Sequence, residues 1–374
     1  MGLGAFETPY DWGRLREYSN IADGCPGGSV DLSVGSPVDP VPRRVMIALA
    51  DAADYPGYPA TIGSPELRTA IADWTMNFRD VDLRQMGAST VPTVGSKEAV
   101  ALMASILGLG RGDVVVQPRV SYPTYEIGTQ IAGATVLKVD DVADVESWSH
   151  DDRVRMVWVN SPSNPTGRML SVAQMAAIVK AARSIGAVVV SDECYALMSW
   201  SGLPARSVLD PAVCGIDCSG VIMLYSLSKQ SNMAGYRAAF LAGDASLVDR
   251  IVSYRRQMGL IVPGPVQGAM VGALRGVRDV NEQASRYHSR LTRIVGALST
   301  AGYDASMPEG GLYVWVRALG CDCWEDMRNL ARVGVLASPG EFYGDSRYLR
   351  FSATARDADI DTACERISRD LVAL

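Results

Sequence analysis

Histidine, long apolar runs and blocks of like charge are all scarce in this sequence. Two histidines accompany seven scattered cysteines. Neither the pair Cys214 and Cys218 nor the pair Cys321 and Cys323 has a second matching pair, so we expect free thiols and no metal site. Scattered reduced thiols are typical of the cytosol, and we therefore predict a cytoplasmic protein.

No apolar stretch reaches the roughly 18 residues that a membrane span needs, and the first residues lack the basic and then apolar pattern of a secretory signal. Thirty-five Lys and Arg stand against 41 Asp and Glu, a net charge of -6, without a basic block. Membrane and nucleic-acid partners are therefore not expected. What is present, 374 residues with 48% hydrophobic content, can fill a large core and indicates two subdomains.

The middle of the chain alternates short β-branched apolar runs with longer segments of helical periodicity. The runs are residues 113–117, 134–139, 156–160, 187–191 and 221–226. Residues 172–184, closed by Gly186, have the spacing of a crossover helix. This alternation is typical of an α/β domain with a mostly parallel sheet.

The pattern changes after residue 265. Amphipathic helices are predicted at 266–276 and 280–301, followed by a strand at 310–315 and a final helix. We therefore predict three parts: an N-terminal segment (1–45) that packs with the last part, a large α/β domain (46–265) and a small α+β domain (266–374).

A lysine flanked by small hydroxyl side chains follows the apolar run at 221–226. Lys229 comes after Ser226 and Ser228, and Arg237 follows it. A lysine at a strand end can form a covalent imine while neighbouring donors hold a phosphate. The alternative is a solvated surface charge, which is the usual state of a single lysine.

Asp192 closes an apolar run, where an unpaired carboxylate is costly to bury. A protonated pyridine nitrogen is a suitable partner, because this pairing makes the ring an electron sink. Tyr195, three residues later, can bond a ring hydroxyl. The alternative for Asp192 is a helix N-cap at the turn that follows the strand.

Two further motifs are weak alone. Residues 160–167 are typical of a turn, but strand ends of an α/β sheet converge where ligands bind, so Asn164 can offer its amide there. Gly95 and Ser96 open an apolar helix, and the free amides at such an N-terminus favour a phosphate.

In this order the four motifs resemble those of the class I/II aminotransferases of pyridoxal-5'-phosphate (PLP) fold type I. The resemblance extends over nearly the whole chain, through residues 55–68, 121–125, 310–315 and 347–352. It implies an α/β fold with a large, mostly parallel sheet domain and a smaller α+β domain. It also implies PLP as the cofactor and a transaminase that acts on amino acids and 2-oxo acids.

The resemblance implies a role for each matching residue. Lys229 is the Schiff-base lysine and proton carrier. The phosphate is held by Ser226, Arg237 and the backbone amides of Ser96 and Lys97. Tyr122 stacks on the ring, and the electronic properties of the ring are set by Asn164, Asp192 and Tyr195. Arg350 binds the substrate α-carboxylate, over which the backbone of Gly35 closes, and Tyr58 reaches the phosphate of the neighbouring subunit. The last role implies a homodimer. Without the resemblance, Arg350 would be interpreted as an edge-strand surface charge. The Asn164–Pro165 bond is a separate candidate for a cis peptide.

Within this family the sequence is similar to N-succinyldiaminopimelate aminotransferases of actinobacterial type, on residues 30–41, 57–63, 160–167, 191–195 and 339–344. That similarity implies glutamate as the amino donor and N-succinyl-2-amino-6-oxopimelate as the acceptor, in lysine and diaminopimelate biosynthesis.

Such an acceptor needs a further cation, for which Arg255 and Arg256 are candidates; the alternative for these two is a solvated helix face. Three other functions stay open: transamination of other amino acids, β-elimination on the same scaffold and, more remotely, a non-enzymatic PLP-binding regulator.

Overall fold

The computed structural model describes residue 6 and residues 10–372. Within these residues the strands are β1 (Val30–Asp31), β2 (Ser89–Val94), β3 (Val114–Pro118), β4 (Thr135–Val139), β5 (Val154–Asn160), β6 (Val188–Asp192), β7 (Val221–Ser226), β8 (Ala238–Gly243), β9 (Tyr313–Arg317), β10 (Val335–Leu336), β11 (Ser338–Pro339) and β12 (Tyr348–Ser352). The strands predicted between residues 113 and 226 are all present, with small shifts at their ends.

The α-helices of the same residues are α1 (Arg16–Asp23), α2 (Arg43–Asp51), α3 (Pro65–Arg79), α4 (Ser96–Ile106), α5 (Thr124–Ala132), α6 (Val172–Ser184), α7 (Pro211–Cys214), α8 (Leu227–Gln230), α9 (Ala245–Gln257), α10 (Gly264–Leu274), α11 (Val277–Thr300), α12 (Cys323–Arg332) and α13 (Asp357–Glu365). Short 3-10 helices lie at Trp12–Leu15, Val145–Ser147, Ala234–Tyr236 and Gly340–Tyr343, and a π-helical turn follows α13 at Arg366–Leu371. The predicted crossover helix is α6, where Ser171 and Gln174 form a capping box.

Seven strands form one sheet in the order β2-β8-β7-β6-β5-β3-β4. β8 is antiparallel to both of its neighbours, and the other pairs are parallel. The predicted α/β fold with a mostly parallel sheet is confirmed. The sequence does not predict β2 and β8, because Ala and Gly make up most of β8 and Pro92 lies within β2, an edge strand.

The C-terminal part contains a three-stranded antiparallel sheet, β11-β12-β9. The strand predicted at 310–315 begins only at Tyr313. Gly311 has a φ of 84°, which lies outside the strand region and delays the start of β9.

Alternate residues of the large sheet face two different apolar clusters. In β7, Val221, Met223 and Tyr225 belong to one cluster, whereas Ile222 and Leu224 belong to another. All five side chains are fully or almost fully buried. The sheet is therefore covered by helices on both faces, as a parallel sheet requires.

A third large cluster joins residues 15–32 to residues 291–367. Helix α10 does not belong to it: Met270 and Leu274 pack in the same cluster as Val45 of α2. The apolar clusters therefore divide within α11, later than the boundary predicted near residue 265. The difference arises because α10 is apolar on all sides and is buried against α2 and α3.

The carboxyl ends of β5, β6 and β7 lie side by side. Asn160, the last residue of β5, pairs with Asp192, the last residue of β6. Ligands of open α/β sheets bind outside such strand ends. No helix in the described residues is long and apolar enough to cross a membrane, and residues 10–372 contain no group of His, Cys, Asp and Glu that is suited to a metal ion.

Candidate active site

A cavity of about 350 Å3 lies at this edge of the large sheet. It is lined by eleven of the twelve residues to which the family resemblance assigns roles: Gly35, Ser96, Lys97, Tyr122, Asn164, Asp192, Tyr195, Ser226, Lys229, Arg237 and Arg350. The structure therefore brings together residues from widely separated segments, while their individual roles stay predictions.

Asp192 places a buried carboxylate in this cavity. Its Oδ2 accepts a hydrogen bond from the Tyr125 hydroxyl at 2.9 Å, and its Oδ1 accepts one from the backbone N–H of Cys194 at 3.2 Å. Burial raises the pKa of this carboxyl, and no Lys or Arg of residues 10–372 forms an ion pair with it. A buried carboxylate without a cation fits a ligand that brings a positively charged ring nitrogen.

Helix α4 begins at the cavity, where Ser96 and Lys97 form part of the wall. The preceding residue, Gly95, has a φ of 76°, and a Cβ at this position would overlap Nη2 of Arg237. Only glycine therefore lets the guanidinium approach the start of the helix. The free amides of a helix N-terminus, an arginine and the nearby Ser226 hydroxyl together fit a phosphate group.

Lys229 follows β7, and its half-buried side chain reaches the cavity. Its Nζ donates a hydrogen bond to the backbone oxygen of Gly35. Burial, together with the charges of Arg350 and Arg237, lowers the pKa of this ammonium group, against an opposing effect of Tyr313. The shift favours the neutral amine, which is the nucleophilic and basic form.

Arg350 of β12 is buried, with 4% of its surface exposed. Its Nη1 donates to the side-chain oxygen of Asn164 at 2.9 Å, and its Nη2 donates to the backbone oxygen of Ser33 at 2.6 Å. The rings of Tyr313 and Tyr343 lie 4.0 and 4.5 Å from its guanidinium carbon. No carboxylate in the described residues pairs with it, so this guanidinium is available to an anionic ligand.

The loop after β5 is held by Asn160, whose side-chain oxygen accepts from the backbone N–H of Asn164 at 2.7 Å. The Asn160 amide donates to the backbone oxygen of Asp192 at 2.8 Å. Both Asn164–Pro165, as predicted, and Ser161–Pro162 are cis. These contacts fix the Asn164 side chain between the sheet edge and Arg350.

Two groups of sequence-predicted residues lie outside the cavity. Tyr58 is fully exposed in the single chain, and its predicted role toward a neighbouring subunit is not tested within one chain. Arg255 is fully buried and forms an ion pair of 2.7 Å with Glu98, while Arg256 is exposed at the end of α9. Neither arginine lines this cavity, so the structure does not support either candidate as a substrate contact. The alternative of a solvated helix face fits Arg256 but not the buried Arg255.

The cavity also has an aromatic wall to which the sequence assigned no role: Tyr10, Trp12, Tyr125, Tyr313 and Tyr343. Tyr313 and Tyr343 fall in segments that carried the family resemblance, which was the available signal for them. Tyr10 and Trp12 lie before the first α-helix, in a segment without a clear periodic pattern.

Residues 28–367 match the family model for aminotransferase class I and II. The chain belongs to this family. It is therefore a PLP-dependent transaminase, and the buried Asp192 and the anion site at the start of α4 fit the cofactor of these enzymes. The alternative of a non-enzymatic regulator is not supported.

Curated relatives carry several substrate names. The 4-dedimethylamino-4-oxo-anhydrotetracycline transaminase OxyQ of Streptomyces rimosus is 42% identical over 96% of this chain and 98% of its own length. A probable aminotransferase of Mycobacterium tuberculosis is 39% identical over 98% of this chain and 87% of its own. An LL-diaminopimelate aminotransferase of Dehalococcoides mccartyi is 28% identical over 91% and 90%.

Solved structures have the same architecture. An aminotransferase of Neisseria meningitidis superposes with a TM-score of 0.84 at 27% identity, covering 98% of this chain and 97% of its own. A Thermus thermophilus aspartate aminotransferase mutant superposes with a TM-score of 0.86 at 23% identity, covering 99% of both chains. The second likeness supports the fold alone.

Proposed function

We propose that this aminotransferase takes the amino group of glutamate and passes it to a 2-oxo acid that carries a second anionic group. The observation that carries the proposal is a pair of cations on the cavity wall, Arg350 and Lys97. Neither forms an ion pair with a carboxylate of residues 10–372, and Nζ of Lys97 lies 5.7 Å from the centre of the Tyr10 ring. A dicarboxylic substrate supplies one anion to each.

The proposed roles of the residues follow from their positions. PLP, when bound, supplies an electron sink for the carbanion formed at the substrate α-carbon. Asp192 holds a proton on the ring nitrogen, and the neutral Nζ of Lys229 takes the proton from the α-carbon. Arg350, held by Asn164 and Ser33, orients the α-carboxylate so that the breaking bond faces Lys229.

For the acceptor we propose N-succinyl-2-amino-6-oxopimelate, the compound implied by the sequence similarity. Its 2-oxo acid end suits Arg350, and its further carboxylates suit Lys97, which takes the place of the arginines at the end of α9. Relatives named LL-diaminopimelate aminotransferases, one of them 30% identical over 96% of this chain, support a substrate of this length and charge.

A second candidate acceptor is a ketone on a polycyclic skeleton. The 42% identity to the transaminase of 4-oxo-anhydrotetracycline favours it. Such a ketone lacks the carboxylate of a 2-oxo acid, so it would use the aromatic wall at Tyr10 and Trp12 rather than Arg350.

The test compares kcat/KM for the succinylated acceptor, small 2-oxo acids such as pyruvate, and 4-dedimethylamino-4-oxo-anhydrotetracycline, with glutamate as donor. The succinylated compound should give the highest value. A tenfold higher kcat/KM for a small oxo acid, about 1.4 kcal/mol, would overturn the proposed acceptor, and a higher value for the polycyclic ketone would favour the second candidate.

Lys97→Met should lower the preference for glutamate over alanine, and the exposed Lys180→Met is the matched control.

We also propose a homodimer in which Tyr58 completes the phosphate site of the partner subunit. Tyr58 is fully exposed, and Tyr55, Met46 and Ile47 each expose more than 40% of their surface. Apolar side chains exposed in one part of a chain are typical of an interface.

A further inference from the structure

Tyr313, the first residue of β9, lies where the proposed carboxylate site meets the proposed cofactor site. Its hydroxyl oxygen is 3.0 Å from that of Tyr195, and its ring lies 4.0 Å from the guanidinium carbon of Arg350. Its hydroxyl also packs on Gly35, where a Cβ would overlap it. One buried phenol therefore contacts the guanidinium, a cofactor-facing tyrosine and the loop that accepts the bond from Lys229.

The hydrogen bond between the two phenols has a preferred direction. Burial raises the pKa of Tyr195. Burial alone would also raise the pKa of Tyr313, but the positive charges of Arg350 and Lys229 lower it below its ordinary value. Each phenol has one O–H. If Tyr195 donates its own to the cofactor, as proposed, Tyr313 must donate in this pair and the Tyr195 oxygen must accept. The Tyr195 O–H is then free to point into the cavity that it lines.

We propose that Tyr313 is a positioning residue that links binding of a substrate carboxylate at Arg350 to the hydrogen bond that Tyr195 offers the cofactor. The inference rests on the proposed roles of Arg350 and Tyr195. While Arg350 has no counter-ion, its charge polarises Tyr313 and strengthens both hydrogen bonds in series. A bound carboxylate neutralises this charge, so both bonds weaken.

The titratable and charged groups that face Tyr313 come from six segments. They are Tyr122 before α5, Cys194 and Tyr195 after β6, Lys229 after β7, Tyr287 on α11, Tyr343 before β12 and Arg350 on β12. Among them only Arg350 gains a counter-ion when a carboxylate without an amine binds. Such a ligand therefore isolates the effect of the guanidinium from the chemistry at Lys229.

The chain supplies a matched control in Tyr343. Its ring lies 4.5 Å from the same guanidinium carbon, but its hydroxyl is paired with that of Ser338 at 3.1 Å. A Tyr-to-Phe change at either position keeps the ring on Arg350, whereas only Tyr313→Phe cuts the route to Tyr195. Asn164, which accepts from Arg350 at 2.9 Å, provides a parallel route and leaves a residual effect.

The experiment is a pH titration of the visible absorption of the PLP-loaded enzyme, with and without saturating succinate at constant ionic strength. In the unmodified enzyme succinate should raise the apparent pKa of the bound cofactor, because a weaker bond from Tyr195 stabilises the deprotonated form less. Tyr313→Phe should reduce this shift to about half or less, and Tyr343→Phe should preserve it. By linkage, the ratio of succinate affinities at acid and alkaline pH should fall by the corresponding factor.

A shift in Tyr313→Phe as large as that in the unmodified enzyme would overturn the proposal. Tyr195→Phe, which keeps Tyr313, is an independent second variant: it should lose the same part of the shift, and an undiminished shift there also contradicts the proposal. Neither result depends on transamination. Loss of amino transfer from glutamate in the unmodified enzyme would instead count against the proposed function.

Discussion

Glu98 on α4 and Arg255 on α9 form an ion pair of 2.7 Å in which the arginine side chain is fully buried. The second oxygen of Glu98 accepts from the backbone N–H of Val94 at 3.1 Å, so the pair connects α9 with the end of β2 and the start of α4. Arg255 therefore supports the helix that begins at the proposed phosphate site, and it does not line the cavity.

Arg255→Gln should lower the free energy of unfolding by about 3 kcal/mol, because it leaves the largely buried carboxylate of Glu98 without its partner. The Michaelis constants of both substrates should stay unchanged. Urea unfolding of the loaded enzyme measures the first effect, and Arg256→Gln, at the exposed neighbour, is the control. A raised Michaelis constant with unchanged stability would return Arg255 to the substrate site.

Lys229→Ala should abolish turnover while PLP still binds through the anion site at Ser96 and Arg237. The physical reason is that the substitution removes the only amine proposed to move the α-proton but leaves the helix N-terminus intact. Single-turnover absorbance with glutamate measures the chemistry, and equilibrium dialysis measures cofactor binding. Lys180→Ala, on the exposed face of α6, should behave as the unmodified enzyme; near-normal transamination by Lys229→Ala would refute the assignment.

Asp192→Asn should reduce the stabilisation that PLP binding gives. Burial raises the pKa of the Asp192 carboxyl in the folded chain, so ionisation of this group lowers the stability of the cofactor-free protein. The loss of stability is absent at a pH below the ordinary pKa of about 4 and complete at a pH above the raised pKa of the folded chain. A positive ring nitrogen offsets this loss. The increase in Tm on adding PLP at neutral pH should therefore be smaller for Asp192→Asn, and an equal increase would contradict the proposed pairing.

Mixing Lys229→Ala protein with Tyr58→Ala protein should restore activity that neither has alone. If Tyr58 completes the partner's site, a hybrid dimer contains one site with both changes and one site with neither. Activity is measured after subunit exchange, with light scattering to confirm the dimer. Full activity of Tyr58→Ala alone, or activity of a monomer, would exclude this arrangement.

The strand ends and the residues on them were predictable from the sequence, whereas the partners across the cavity were not. Asp192, Lys229 and Asn164 each follow an apolar strand, and the topology of a parallel sheet requires such ends to converge. The predicted phosphate site at Ser96 had a similar local signal in Gly95. These features are encoded within a few residues of the site itself.

Contacts between distant segments lack such a signal. No spacing in the sequence indicates that Tyr313 touches Tyr195, or that Arg255 belongs to Glu98 rather than to a substrate. Helix α10 was assigned to the small domain because its segment was interpreted, like that of α11, as an amphipathic helix, although its apolar faces pack on α2 and α3. Such pairings depend on how complete elements pack, which local periodicity does not specify.

Arg350→Lys separates the two candidate acceptors. The substitution keeps a positive charge but loses the fork that donates to Asn164 and Ser33 and that would bind a carboxylate with two bonds, at a cost of about 1.5 to 3 kcal/mol. The two half-reactions are measured separately, first with glutamate and then with the acceptor. If the acceptor is a 2-oxo acid, the Michaelis constants of glutamate and of the acceptor should each rise by about tenfold to a hundredfold, because both substrates present an α-carboxylate to the same guanidinium. If the acceptor is a ketone without that carboxylate, only the Michaelis constant of glutamate should rise.

Arg347→Lys, three residues away with its guanidinium exposed and paired to Asp345, is the control, because it shares the strand region but not the cavity. Unchanged constants for both substrates in Arg350→Lys would show that the buried guanidinium serves the fold rather than the substrate.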